Sequence, residues 1–118
     1  DARLLLAALP DRSLDAAYIL VPDPWPKLRH RKRRIVSPAT LTQLARAMRG
    51  GAELRVASDD PDYQTAMLAD ITAMPEWEWL ARGADDWRVR PADWPATRYE
   101  QKAIEAGRTP IYLRFRRR

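Results

Sequence analysis

Apolar residues along the chain recur at spacings that predict alternating helices and strands. Between Leu41 and Met48 they return every three or four residues, which is the spacing of one face of a helix. Ser37 followed by Pro38 supplies an N-cap oxygen and a first helical residue. The glycine pair at 50–51 is expected to end this helix.

Three further helices are predicted from their boundary residues, at residues 2–9, 61–73 and 98–106. The first is stopped by Pro10, which cannot continue a helix. Asp60 is the expected N-cap of the second. Thr97 and Glu100 form a capping box for the third, and Gly107 ends it.

Four strands are predicted, at residues 16–21, 52–58, 77–82 and 110–117. The continuous apolar run of the first is typical of a strand buried on both faces. Residues 83–97 are predicted to be a loop, and Trp77 and Trp79 are expected to pack in the core. Strands that alternate with helices predict an α/β fold with a parallel sheet.

Two of these strands lead directly into acidic loops. Val21 is followed by Asp23, and Ser58 is followed by Asp59 and Asp60. Ligands of parallel sheets bind beyond the carboxyl ends of the strands, so neighbouring strands would bring the two loops side by side. With Asp60 assigned to the helix cap, Asp59 is the candidate site residue of its loop.

Composition limits the classes of function. The chain has 118 residues, enough for at most one small domain, and 46% of them are hydrophobic. It has no cysteine, and its single histidine is His30, so neither a zinc site nor a Ser-His-Asp triad is indicated and no metal ligands are assigned. No apolar run approaches the roughly 18 residues of a membrane helix. A cytoplasmic protein with no membrane partner is expected.

Positive charge is concentrated in two short segments. The net charge is +5 and the pI is near 10.1, which favours an anionic partner. Six Lys and Arg residues lie between Lys27 and Arg34, directly after three prolines at 22–26, and four arginines lie at 114–118. A basic run of this kind is either a solvated loop or a contact for a polyanion such as RNA.

Three motifs resemble those of the tRNA (guanine-N7-)-methyltransferases. They are "PDPWPK" at 22–27, "RHRKRR" at 29–34 and "TRYE" at 97–100. The resemblance implies an enzyme that uses S-adenosylmethionine to methylate guanine at nitrogen 7 in the variable loop of tRNA. It also implies a three-layer, Rossmann-like class I methyltransferase fold, with a mainly parallel sheet and an antiparallel last strand.

The glycine-rich cofactor loop of that fold has no counterpart in this chain. Only four glycines are present, and none follows a first strand. Residues 1–118 are therefore expected to form a single partial domain, the C-terminal half of the enzyme. Its strand at 16–21 would then be an unprotected edge, and self-association through that edge is expected.

The resemblance assigns roles to individual residues. Asp23 is implied to be the catalytic residue and to lie beside the methyl group of the cofactor. Asp1 is implied to contact the adenosine of the cofactor. The implied substrate-binding residues are Lys27, Asp59, Thr97, Arg98, Tyr99 and Glu100. The implied RNA-binding residues are Arg29, His30, Arg31, Lys32, Arg33 and Arg34.

These residue types suit methylation at nitrogen 7 of guanine. That atom carries a lone pair, so the reaction needs alignment and stabilisation of positive charge, not a general base. Carboxylates such as Asp23, Asp59 and Glu100 suit this task, and they can accept hydrogen bonds from the guanine N1–H and exocyclic amine. An aromatic residue is expected to stack on a base turned out of its helix; the candidates are Trp25, Trp94 and Tyr99.

Less specific interpretations remain open. Asp23 between two prolines is also a typical turn residue, and Thr97 with Glu100 is an adequate capping box without any other role. The main alternative function is a non-catalytic RNA-binding module that keeps the basic loop and lacks cofactor binding. A methyltransferase acting on another polyanion is a third possibility, which "TRYE" disfavours.

Overall fold

A computed structural model describes residues 2–21, 36–94 and 98–118 of the chain. Its elements, in chain order, are α1 (Ala2–Ala8), β1 (Leu14–Val21), α2 (Pro38–Ala47), β2 (Met48–Ser58), α3 (Pro61–Thr72), β3 (Trp77–Trp79), α4 (Asp85–Arg88), α5 (Arg98–Glu105) and β4 (Ile111–Arg117). The strands form one sheet in the order β1-β2-β4-β3. No helix within the described ranges is long and apolar enough to cross a membrane.

The strand directions confirm the predicted α/β fold. β1 and β2 are parallel, and β4 is antiparallel to both of its neighbours, β2 and β3. Three strands therefore run in one direction, and the last strand of the chain runs against them. Val21 pairs with Ser58, so β1 and β2 end at the same edge of the sheet, as predicted. Ile111 also pairs with Ser58, so β4 begins at that edge.

The core lies on one face of the sheet, beneath α2 and α3. Alternate residues of the central strands point into it, and Leu54, Val56, Leu113 and Phe115 are each at most 1% exposed. Each such side chain stabilises the fold by roughly 1.5–3 kcal/mol through burial. Trp77 and Trp79 of β3 belong to this core, which confirms that they are packing residues.

Three predicted helix boundaries are confirmed. The side-chain oxygens of Ser37 and Asp60 accept hydrogen bonds from backbone N–H groups three residues later, at 3.3 and 2.8 Å. Gly107 ends α5 with a φ of 78°, a left-handed conformation that glycine adopts without strain. The N–H of Arg108 then donates to the carbonyl of Ala103 at 2.9 Å, so Arg108 leaves the helix in a fixed direction.

The prediction that the glycine pair at 50–51 ends a helix is wrong. α2 ends at Ala47, and β2 begins at Met48 and contains both glycines. The pairing with β1 jumps from Leu14 with Met48 to Ala16 with Glu53, which leaves extra residues on β2. A φ of 87° at Gly51 allows this irregularity, so glycine serves a strand and not a cap here.

Other boundaries differ by a few residues. β1 begins at Leu14 and not at residue 16, and β3 ends at Trp79 and not at residue 82. The predicted loop at 83–97 contains the short helix α4. Such shifts are expected where flanking residues have no strong cap or breaker.

β1 is the outermost strand of the described sheet, as expected, but the expectation that both of its faces are buried is wrong. Tyr18 is 51% exposed and Leu20 is 39% exposed on one face of the strand, whereas Ala17 and Ile19 on the other face pack against the core. Leu4 and Leu5 of the neighbouring α1 are 73% and 68% exposed. The strand and the helix together present one apolar surface to solvent.

The second face of the sheet is built on a buried arginine. Arg55 of β2 is 7% exposed, and its Nε donates to Glu53 at 2.6 Å while its Nη2 donates to Asp93 at 2.6 Å. Glu53 also accepts two hydrogen bonds from Arg114, at 3.0 and 2.8 Å. Arg55 and Arg114 are directly opposed on neighbouring strands, so this carboxylate offsets a repulsion between like charges.

Aromatic rings cover the same arginine. The guanidinium of Arg55 lies 5.4 Å from the ring centroid of Trp94 and 5.7 Å from that of Tyr18, within range of cation–π attraction. Trp94 contacts Tyr18 and Tyr112 edge to face, with centroids 6.1 and 5.5 Å apart. Because Trp94 is only 2% exposed, it packs the fold and is not available to stack on a base.

The arginines at the end of the chain also make internal contacts. Arg114 binds Glu53, and the Nε of Arg117 donates to the carbonyl of Ala45 near the end of α2 at 2.7 Å. Arg116 lies 3.7 Å from Glu78. These residues therefore contribute to the fold rather than form a solvated tail.

The ion pairs of Glu53 predict a pH-dependent loss of stability. Glu53→Gln should lower the free energy of unfolding at pH 7 by roughly 2 kcal/mol, less than the ~3–5 kcal/mol of a fully buried pair. Hydrogen bonds from Arg114 and Arg55 lower the pKa of Glu53 from 4.5. Its stabilisation is therefore present above that pH and lost as the pH falls further. Urea denaturation at pH 7 and pH 3.5 measures both effects.

Glu78→Gln is the matched control, since Glu78 faces Arg116 across the same sheet face but is 44% exposed. It should change the free energy of unfolding by less than about 0.5 kcal/mol. Equal losses for the two variants would contradict the special role of Glu53.

Candidate functional site

The candidate site lies at the edge of the sheet where β1 and β2 end. Asp59 follows the last residue of β2 directly, and residue 22, which opens the "PDPWPK" motif, follows the last residue of β1. A cleft of about 600 Å³ opens beside Asp59. Its walls are the start of α3, Trp87 and Arg88 of α4, and the turn from α5 to β4.

Asp59 is held by an arginine from that turn. Its carboxylate lies 3.0 Å from the Nε of Arg108, and its side chain is 9% exposed while that of Arg108 is 52% exposed. Gln64 fixes the surrounding backbone, because its Nε2 donates to the carbonyls of Ser58 and Thr109 at 2.7 and 3.2 Å. The neighbouring Asp60 caps α3, so the prediction that Asp60 is the cap is confirmed.

Glu100 lies in the first turn of α5 and is held from the sheet. The hydroxyl of Tyr112 donates to its Oε1 at 2.6 Å, and the Nε of Arg90 lies 3.4 Å from the same oxygen. Burial, with the adjacent Glu100, raises the pKa of Tyr112 well above its usual value of 10.0. Tyr112 therefore stays protonated, and remains a donor, at neutral pH.

The structure describes only part of the predicted site. Arg98 is exposed at the start of α5, and Tyr99 belongs to the same helix, although its side chain is outside the described part. The other candidates are outside the described residues: Asp1, Asp23, Trp25, Lys27, Arg29, His30, Arg31, Lys32, Arg33, Arg34 and Thr97. Of the predicted acidic site residues, Asp59 and Glu100 thus lie within the described part of the chain.

Sequence reasoning missed the residues that hold these two carboxylates. Arg108 contacts Asp59, while Tyr112 and Arg90 contact Glu100. The alternation in "PIYLRF" already places Tyr112 on the face opposite Leu113, away from the core, which was a usable signal. Nothing in the sequence pairs Arg108 with Asp59, because they are distant along the chain.

Comparison with protein families explains the combination of motifs. Residues 1–113 match a family model described as "Putative methyltransferase". The chain belongs to this methyltransferase family. The match covers both carboxylates described above and nearly all of the sheet.

Curated relatives agree with the resemblance that the motifs carry. The chain is 55% identical over 118 residues to a tRNA (guanine-N(7)-)-methyltransferase of Rhodospirillum rubrum, covering 46% of that protein. It is 53% identical over 117 residues to one of Azorhizobium caulinodans, covering 51% of it. One of Paramagnetospirillum magneticum is 55% identical, with 49% covered. The chain thus spans about half the length of the curated relatives it matches.

A solved structure supports the fold. A "putative DNA modification methylase" from Thermus thermophilus superposes with a TM-score of 0.62 at 15% sequence identity. The superposition covers 99% of this chain and 52% of that protein. At this identity the likeness concerns the fold alone, and it agrees with the predicted Rossmann-like arrangement.

Proposed function

We propose that this chain forms the substrate side of an S-adenosylmethionine-dependent tRNA (guanine-N7-)-methyltransferase. The observation that carries the proposal is the position of Asp59 at the edge of the sheet where the "PDPWPK" segment leaves the neighbouring strand. The relatives from Rhodospirillum and Azorhizobium, both named for this activity, support it.

The proposed chemistry requires little of the protein beyond alignment and charge. Nitrogen 7 of guanine carries its own lone pair, so no residue of the chain would need to remove a proton, and the methylated purine would be cationic. Asp23 would lie nearest the reacting atoms and stabilise this charge. Asp59 and Glu100 would accept hydrogen bonds from the guanine N1–H and exocyclic amine. Lys27, Thr97, Arg98 and Tyr99 complete the proposed substrate site.

The described residues do not by themselves fit the cofactor. Asp1 and Asp23, to which we assign cofactor contacts, lie outside the described part, and none of the four glycines follows β1. When bound, S-adenosylmethionine would supply the methyl group. We propose that residues 1–118 are part of a single methyltransferase domain whose glycine-rich loop lies outside these residues.

The basic run would bind the RNA backbone. Arg29, His30, Arg31, Lys32, Arg33 and Arg34 follow the proposed catalytic aspartate directly, so phosphates held there would lie near the reacting base. Contacts of this kind carry no sequence information and weaken steeply with salt. A tRNA substrate would also fit the cytoplasmic location expected from the sequence.

The alternative is an RNA-binding module without catalysis. It is favoured by one specific feature, the lack of a glycine-rich loop in a chain that keeps its basic run. The two functions differ in whether methyl transfer occurs once the rest of a methyltransferase domain is present.

The first prediction from the proposed function concerns the product. The test uses a hybrid of the Rhodospirillum enzyme in which this chain replaces the matching segment. Incubated with unmodified tRNA and labelled S-adenosylmethionine, the hybrid should form 7-methylguanosine, which mass spectrometry detects. The chain alone should bind tRNA with an affinity that falls as salt rises, and give little product. The unaltered Rhodospirillum enzyme is the positive control.

A folded hybrid that binds tRNA but forms no 7-methylguanosine would favour the RNA-binding module. Product from the chain alone would show instead that its own residues suffice for the cofactor.

The second prediction concerns Asp23. Asp23→Ala in the hybrid should lower methylation at saturating tRNA by at least about 100-fold, as expected when a group that stabilises the transition state is removed. Affinity for tRNA should change little, because the phosphate contacts remain. The matched control is Asp62→Ala, at an exposed position of α3. Weakened tRNA binding with normal turnover would reverse the role assigned to Asp23.

The third prediction concerns the edge strand. We propose that β1 and α1 receive the rest of the domain, and that the chain alone associates with itself through them. Sedimentation velocity should show oligomers. Leu20→Lys places a charge at an exposed position of the outermost strand β1 and should largely disperse these oligomers. Thr65→Lys, at an exposed position of α3, is the control and should leave the oligomers intact. A stable monomer at high concentration would contradict the proposal.

A further inference from the structure

Tyr112 connects the centre of the sheet to α5, the helix that contains the last three residues of "TRYE". It lies on β4, is 4% exposed, and pairs with Ala57 one position before the sheet edge. Its ring packs edge to face against Trp94 at 5.5 Å, and its hydroxyl donates to Oε1 of Glu100 at 2.6 Å. The ring therefore has a packing role, while the hydroxyl has a separate, polar one.

Arg90 competes for the same carboxylate oxygen. Its Nε lies 3.4 Å from Oε1 of Glu100, and its Nη1 donates to the carbonyl of Trp94. The contact from Tyr112 is shorter and comes from a buried side chain on a strand, whereas Arg90 is 38% exposed. Without the hydroxyl, Arg90 would act on this oxygen from a different direction.

We propose that Tyr112 is a positioning residue that turns the Glu100 carboxylate towards the amine edge of guanine. The inference rests on the proposed function, in which Glu100 contacts that edge. A site built to bond a polar group on its ligand rejects an analogue that lacks the group, so the orientation of Glu100 governs specificity. Phosphate contacts elsewhere govern overall affinity and do not depend on Tyr112.

Tyr112→Phe isolates the hydroxyl, because the ring and its contact with Trp94 remain. Tyr18→Phe is the matched control. Tyr18 also packs edge to face on Trp94, at 6.1 Å, but it lies on β1 and is 51% exposed. Both variants lose one hydroxyl from the same aromatic cluster, and one of them loses the contact with Glu100.

The test uses the 118-residue chain and two RNA hairpins, which differ only at one unpaired position. One carries guanosine there, and the other carries inosine, which lacks the exocyclic amine. Fluorescence anisotropy gives the ratio of the two affinities. We expect the unaltered chain to prefer guanosine, Tyr112→Phe to lower this preference roughly five- to twentyfold, and Tyr18→Phe to preserve it. The salt dependence of binding should be the same for all three.

A double variant distinguishes a positioning role of Tyr112 from general damage to the fold. In Glu100→Ala, the preference for guanosine should already be low, and adding Tyr112→Phe should change it no further. An equal loss in both backgrounds would overturn the inference, because Tyr112 would then act without Glu100.

Two other outcomes have different meanings. If the unaltered chain prefers guanosine and Tyr112→Phe retains the full preference, the inference is wrong while the proposed function stands. If the unaltered chain does not distinguish guanosine from inosine, the reading of guanine by Glu100 is wrong, and the inference falls with it.

Discussion

The charge network around Arg55 is the constraint on which the second face of the sheet depends. Removing an arginine from water costs several kcal/mol unless its donors find partners. Here Glu53 and Asp93 accept from it, and the ring of Trp94 covers it. Asp93 and Trp94 precede "TRYE" in the chain, so their contacts with Arg55 fix the positions of these two residues on the sheet. Among the described residues, Nη1 of Arg55 is buried without a hydrogen-bond partner, which leaves part of this cost in place.

Two kinds of contact hold the chain on either side of residues 95–97, where the "TRYE" motif begins. Before it, Trp94 is fixed by packing and by the pair of Asp93 with Arg55. At the last residue of the motif, Glu100 is fixed by Tyr112 and Arg90. Both anchors reach the central strands β2 and β4, which are the strands with neighbours on both sides. Glu100, in the first turn of α5, is thereby tied to the central strands of the sheet.

Local signals in the sequence predicted much of the fold and less of the site. Ser37, Asp60 and Gly107 act within a few residues of their own position, so the helix ends they set could be recognised. The glycines at 50–51 misled because they serve a strand irregularity that exists only through pairing with β1. The insertion of β4 between β2 and β3 likewise depends on distant pairing, which local patterns do not encode.

The same distinction applies to the site residues. Asp59 was a candidate because it follows a predicted strand, and Glu100 because it ends the "TRYE" motif, whereas Arg108 and Tyr112 reach these carboxylates through contacts that only the folded chain creates. Arg55 shows the limit most clearly. Its place among the alternating apolar residues of a strand predicts an exposed side chain, yet it is 7% exposed. A buried charge is decided by partners from other elements, which no local pattern can supply.

The cations beside the two carboxylates suit the proposed chemistry because they are not deeply buried. Arg108 is 52% exposed and Arg90 is 38% exposed, whereas the side chains of Asp59 and Glu100 are 9% and 15% exposed. Solvent screens an exposed guanidinium, so it orients a carboxylate without cancelling its field. The buried carboxylates would then keep negative potential at the sheet edge. Methylation at nitrogen 7 makes guanine cationic, so this potential would favour the transition state more than the neutral substrate.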